Sequence, residues 1–136
     1  MRAVLDPNIL IAALLSSGGP PAQIVSRWRA GDFELIVSEA LLAELARALA
    51  YPKLRAHIPP GSASEFVSLL RHYAVLAPDP AAPERRSSDP GDDYLIALAE
   101  SERAVLVSGD RHLLELADAL PIRTARAFIE KLAQPN

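Results

Sequence analysis

At 136 residues the chain has the length of one domain, large enough to bury a core of its own. Half of its residues are hydrophobic and 23% are charged, the balance of an ordinary soluble protein, and a formal net charge of −3 argues against a simple basic nucleic-acid-binding module. Cysteine is absent, which excludes disulfides and thiolate-held metal and suits a reducing compartment.

Residues 2–5 read as a short apolar strand that stops at Asp6. That run is too short for a signal peptide, and "ILIAALL" is far short of a membrane span, so the expectation is a soluble, cytoplasmic protein with no membrane segment. Helices are expected over 9–15 and 20–30, broken by the turn chemistry of "SSGGPP". "FELIV" (33–37) is a second strand. Ser38 then caps a helix that runs to Ala50 and is ended by "YPK". An amphipathic helix over 62–73 precedes the short strand "AVLAP" and the Pro-rich loop "DPAAPERRSSDPG". A helix over 92–102, the strand in "AVLVSGD", a helix at 111–118, an extended piece near Ile122 and a helix at 125–133 complete the pattern.

Apolar strands alternating with helices predict one α/β domain over 1–136, in three α/β/α layers around a central, mostly parallel sheet. Ligands of such sheets bind beyond the carboxyl ends of the strands, where strand order reverses. Asp6 and Asp110 both stand at strand carboxyl ends, so this fold brings them to one edge. Each alone reads equally well as a helix cap or turn residue. Two like charges at one edge, however, cost energy unless a cation sits between them.

Two further acids face inward by periodicity. In "SEALLAELARAL", Leu41, Leu45 and Leu49 form the buried stripe; Glu44 flanks it and Glu39 points to solvent. In "DPGDDYLIALA", Asp92 continues the stripe of Leu95, Ile96 and Ala99, with Asp93 to its side as the less favoured alternative and Asp89 further upstream. The ordinary reading of this acid run is a helix N-terminus favoured by the macrodipole. Taken together, Asp6, Glu44, Asp92 and Asp110 form an all-oxygen set suited to Mg²⁺ or Mn²⁺ rather than Zn²⁺. Such ions serve phosphodiester hydrolysis.

The order and spacing of "LDPNILIAAL", "SEALLAELARAL", "DPGDDYLIALA", "LVSGDRHLL" and "RTARAFIEKL" resemble the PIN-domain family, in particular the VapC-like toxin components of bacterial toxin–antitoxin pairs. The resemblance implies a Mg²⁺- or Mn²⁺-dependent endoribonuclease with a small antitoxin protein as partner, RNA as substrate and a possible homodimer. It carries the family acids onto Asp6, Glu44, Asp92 and Asp110, with Asp6, Asp92 and Asp110 as metal ligands. Glu44 would orient or deprotonate the attacking water, and Asn8 and Ser108 would support the ligands. Two positions depart from the family pattern: Pro7 replaces a usual Thr, and His112 stands where many members carry a further acid. These departures define the alternative, a catalytically weakened PIN-like interaction module.

Other phosphoryl-transfer folds fit less well. A haloacid-dehalogenase-type phosphatase needs a second Asp where Asn8 stands, and a response-regulator receiver needs a late strand-end Lys, whereas the only lysines are Lys53 and Lys131. Arg27, Arg29, Arg85 and Arg86 are candidate phosphate contacts with solvated surface as the simpler reading. Trp28 could stack on a base but has the spacing of a core residue.

Overall fold

The computed structural model describes residues 1–81 and 90–134. Its elements are β1 (Arg2–Leu5), α1 (Pro7–Leu15), α2 (Pro20–Arg29), β2 (Glu34–Val37), α3 (Glu39–Leu49), α4 (Pro52–Arg55), α5 (Ser62–Tyr73), β3 (Val75–Leu76), α6 (Asp93–Ser101), β4 (Val105–Val107), α7 (Arg111–Leu114), β5 (Ile122–Arg123) and α8 (Ala125–Ala133). A single 3₁₀ turn, Pro90–Asp92, leads into α6.

The five strands form one all-parallel sheet in the order β3-β2-β1-β4-β5. With the flanking helices this is the three-layer α/β/α arrangement that the alternating pattern predicts. Ala3, Val4 and Leu5 of β1 and Leu35, Ile36 and Val37 of β2 are all buried, as strands covered on both faces must be. Phe128 of α8 meets Phe33 edge to face, with ring centroids 5.1 Å apart, and so ties the last helix to the start of β2. Trp28 lies in the core, which removes it as a base-stacking candidate.

Three elements differ from the sequence expectation. Pro52 does end α3, but it also serves as the first residue of α4, because proline is tolerated where the amide would have no helical partner. The helix expected at 111–118 closes after Leu114; the chain continues through turns whose amides bond three residues back, as in Leu116 to Leu113 and Ala117 to Leu114, until Pro121 leads into β5. The helix start at Asp92 is replaced by the 3₁₀ turn, and α6 proper begins at Asp93.

Topology sets the position of the site. The chain builds β1, β2 and β3 outward in one direction and then returns to the other side of β1 to add β4 and β5. The strand order therefore reverses between β1 and β4. Val4 pairs with Ile36 on one side and Leu106 on the other, so β1 is the centre of the sheet. Among the described residues no single helix is long and apolar enough to cross a membrane.

Candidate active site

Asp6 follows β1 at the switch point and is only 4% exposed. Its amide donates to the Val107 carbonyl at 3.0 Å, extending the β1–β4 ladder by one bond. Its carboxylate has two defined partners. Oδ1 accepts the Asn8 amide at 2.9 Å and so caps α1; Oδ2 accepts the Ser108 hydroxyl at 2.7 Å. Pro7 is the first residue of α1, where its missing N–H costs nothing. The cap reading of Asp6 is thus correct as local structure, yet it uses only one of the two oxygens.

Ser108 is fully buried and joins two acids. Its Oγ donates to Asp6 and accepts the Asp110 amide at 2.9 Å. Asp110 in turn caps α7, its Oδ1 accepting the His112 amide at 2.7 Å. The predicted meeting of Asp6 and Asp110 at one edge is therefore present, mediated by the predicted hydroxyl. Burial pushes the Asp6 carboxyl above its ordinary pKa. The Asn8 and Ser108 hydrogen bonds oppose that rise, and the Asp110 charge adds to it. Asn8 contributes through its backbone N–H; its side-chain position is exposed.

Glu44 enters from α3. The N-terminus of that helix is fixed twice, by the Ser38 hydroxyl accepting the Leu41 amide at 3.2 Å and by Asp79 Oδ2 accepting the Ala40 amide at 2.9 Å. As predicted, Leu41, Leu45 and Leu49 are buried, Glu44 is half-buried at their flank and Glu39 is exposed. Glu39 is not simply solvated, because Arg71 of α5 pairs with it. Glu44 Oε2 accepts a hydrogen bond from the Tyr94 hydroxyl on the first turn of α6. Burial, the bond to Glu44 and its charge, and the more distant charges of Asp6 and Asp79 all raise the Tyr94 pKa, so the phenol stays protonated. Tyr94 thus lies within the field of acids from three different elements.

The acids that open α6 depart from simple periodicity. Asp93 is 3% exposed, whereas Asp92 is half-buried with its Oδ2 shielded from solvent. The stripe of Leu95, Ile96 and Ala99 is buried as expected, but it does not extend back to Asp92 at helical spacing, because the 3₁₀ turn rotates each residue further than an α-helix does. Asp89, Arg85 and Arg86 lie outside the described residues. Arg27 pairs with Asp32, and with Arg29 it ends α2 just ahead of β2, at the amino edge of the sheet and away from Asp6.

The geometry joins Asp6, Ser108 and Asp110 directly, and Glu44 to α6 through Tyr94. Among the described residues no three Asp, Glu, His or Cys side chains are gathered into a ready metal cage. The donor chemistry still fits a hard cation: carboxylate oxygens without thiolates, one of them buried against its own ionisation. Two contributors escaped the sequence reading. Tyr94 was hidden in an apolar helix stripe, and Asp79 in a Pro-rich loop; the signal for the latter was its position just beyond the carboxyl end of β3.

The family profile of the PIN domain matches residues 2–112, and the chain belongs to that family. Its members are in general nucleases, a class of hydrolase, and generally use divalent metals. A curated relative, the uncharacterised protein MJ1680 of Methanocaldococcus jannaschii, is 24% identical over 143 residues, covering 96% of this chain and 91% of that one. PAE2754 from Pyrobaculum aerophilum has a similar fold, with a TM-score of 0.66 at 20% identity, covering 98% of this chain and 96% of that one. So does a chain of VapBC2 from Rickettsia felis, solved bound to a DNA fragment from their promoter, with a TM-score of 0.63 at 14% identity, covering 91% of this chain and 98% of that one.

Proposed function

We propose that this chain is a Mg²⁺- or Mn²⁺-dependent endoribonuclease that hydrolyses RNA phosphodiester bonds and acts as the toxin of a toxin–antitoxin pair. The observation that carries the reading is the Asp6–Ser108–Asp110 chain at the β1–β4 switch point, where a buried acid is kept beside a second acid without a cationic side chain among the described residues.

In this reading Asp6, Asp92 and Asp110 hold the ion. The chemistry a bound ion would supply is polarisation of the phosphate and a lowered pKa for water. Glu44 would accept a proton from the attacking water or orient it. Ser108 fixes the relative position of Asp6 and Asp110, and the Asn8 amide fixes the rotamer of Asp6. Asp93 is the alternative third ligand, and its deeper burial keeps it in consideration. The likeness to a VapBC chain supports a small antitoxin partner and a nucleic-acid substrate. A cytoplasmic location and a homodimer accompany the reading.

A second reading is an interaction module with weakened chemistry, favoured by His112 in place of an acid and by the absence of a gathered cage among the described residues. One experiment separates the two. The purified chain is incubated with a mixed RNA pool and Mn²⁺, with and without a chelator. The nuclease reading expects cleavage that the chelator stops; an intact pool at every metal concentration favours the module. Single-stranded DNA of matching sequence tests the substrate class, and equal cleavage of both would remove the RNA preference.

A further inference from the structure

Glu39 and Glu44 lie five residues apart on α3, on different faces, and are held by different chemistry. Arg71 pairs with Glu39, whereas the Tyr94 hydroxyl donates to Glu44. An arginine beside Glu44 would fix its position but also offset its charge and weaken it as a base. A phenol is a neutral donor that fixes one carboxylate oxygen and leaves the charge in place.

The two ends of this contact suit that task. The Tyr94 ring packs against the hydrophobic core, which gives the hydroxyl a rigid mount. Glu44 is half-buried on a long side chain, and fixing such a side chain costs rotamer entropy. A hydrogen bond to a charged group offsets that cost. The bond occupies Oε2, and no hydrogen bond is made to Oε1 among the described residues. It also joins helices 50 residues apart in sequence, so the position of Glu44 follows that of the α6 N-terminus, where Asp92 and Asp93 stand.

We propose that Tyr94 is a positioning residue that holds the Glu44 carboxylate in the orientation needed to activate water. This rests on the nuclease reading above. Tyr94 contacts neither the substrate nor the ion; it acts through Glu44.

The test compares the wild-type chain, Tyr94→Phe, Glu44→Gln and the double variant. With RNA and saturating Mn²⁺, Tyr94→Phe should lower kcat about 10- to 100-fold with KM within twofold. In the Glu44→Gln background the same change should lower kcat no further. Mn²⁺ affinity, measured by titration without RNA, should be unchanged in Tyr94→Phe, because Glu44 is not placed among the ligands. Metal-free melting should show all four proteins folded, since phenylalanine keeps the ring in the core. Wild-type kcat in Tyr94→Phe, an equal further loss in the Glu44→Gln background, a rise in KM alone, or weakened Mn²⁺ binding would each overturn the proposal. A wild-type chain that cleaves nothing would overturn the nuclease reading itself and the positioning role with it. The two failures are therefore told apart by the wild-type lane.

Discussion

The acids at the amino edge of the sheet and those around Asp6 at its carboxyl edge are held in opposite ways. At the amino edge, Arg2 pairs with Glu34 at 3.6 Å and with Glu102 at 3.3 Å, and Arg27 pairs with Asp32. At the carboxyl edge, Asp6, Glu44 and Asp110 are held by a serine hydroxyl, a phenol and backbone amides, with no cationic partner among the described residues. Folding alone favours the first arrangement, since unpaired acids in one place repel one another and a buried one loses solvation. The second sacrifices stability for a concentration of negative charge, which is the pattern of a site that takes up a cation.

Apart from the proposed metal ligands, the largest effect should come from removing the proposed base. Glu44→Gln keeps the shape and can still accept the Tyr94 hydrogen bond, but it cannot take a proton, so cleavage should fall about 10²- to 10⁴-fold. A steady-state assay with KM unchanged would agree; a loss confined to KM would move Glu44 from chemistry to substrate binding.

Ser108→Ala should come next. It removes the hydroxyl that donates to Asp6 and accepts the Asp110 amide, so cleavage should fall about 10- to 100-fold. It also leaves a buried carboxylate oxygen without its donor, which costs about 1–3 kcal/mol on chemical denaturation. Full activity in this variant would show that the acids are fixed without the hydroxyl.

The acids paired with arginine supply the smallest effects. Glu102→Gln should cost about 1 kcal/mol or less and leave cleavage unchanged, because its partner Arg2 remains part-exposed and screened. Glu39→Gln, at an exposed pair with Arg71, should change neither cleavage nor melting measurably. Activity loss in either would mean that the arginine-paired acids are not separate in function from those around Asp6.

Much of this contrast is legible in the sequence. Short apolar strands between helical patterns define a parallel sheet, and a parallel sheet places the residues after β1 and β4 together. Asp6 and Asp110 could therefore be placed from the sequence pattern, and the family resemblance added Ser108 beside them. The stripe of Leu41, Leu45 and Leu49 likewise fixed the inward turn of Glu44. The less legible parts depend on local geometry that period-counting misses. A 3₁₀ turn changes how far each residue rotates, so Asp92 and Asp93 exchange the burial expected of them. Tyr94 reads as one more apolar helix residue, and only the approach of α3 to α6 reveals its hydroxyl as a partner of Glu44. Asp79 stands among prolines with no periodicity to orient it.

The pH dependence of the metal-free protein carries the same contrast. The Asp6 carboxyl is raised above its ordinary pKa in the fold, chiefly by burial. Its contribution to stability is therefore present below the unfolded pKa and is lost as pH rises through the folded one. Above both values the buried charge is a net cost. Asparagine at this position retains a carbonyl to accept the Asn8 amide, and its own amide can donate to Ser108 Oγ. The advantage of Asp6→Asn over wild type should thus be greatest near neutral pH, shrink as pH falls through the raised folded-state pKa, and be gone below about pH 4, the unfolded value.

The most direct test of the central claim measures cleavage and metal-free melting on the same Asp6→Asn preparation. On the proposed reading the acids around Asp6 serve a cation rather than the fold, so Mn²⁺-dependent cleavage of the RNA pool should be abolished while the thermal midpoint at pH 7 stays equal to wild type or rises. Full cleavage by this variant, or a large fall in its metal-free midpoint, would contradict the account and return Asp6 to the role of a structural helix cap.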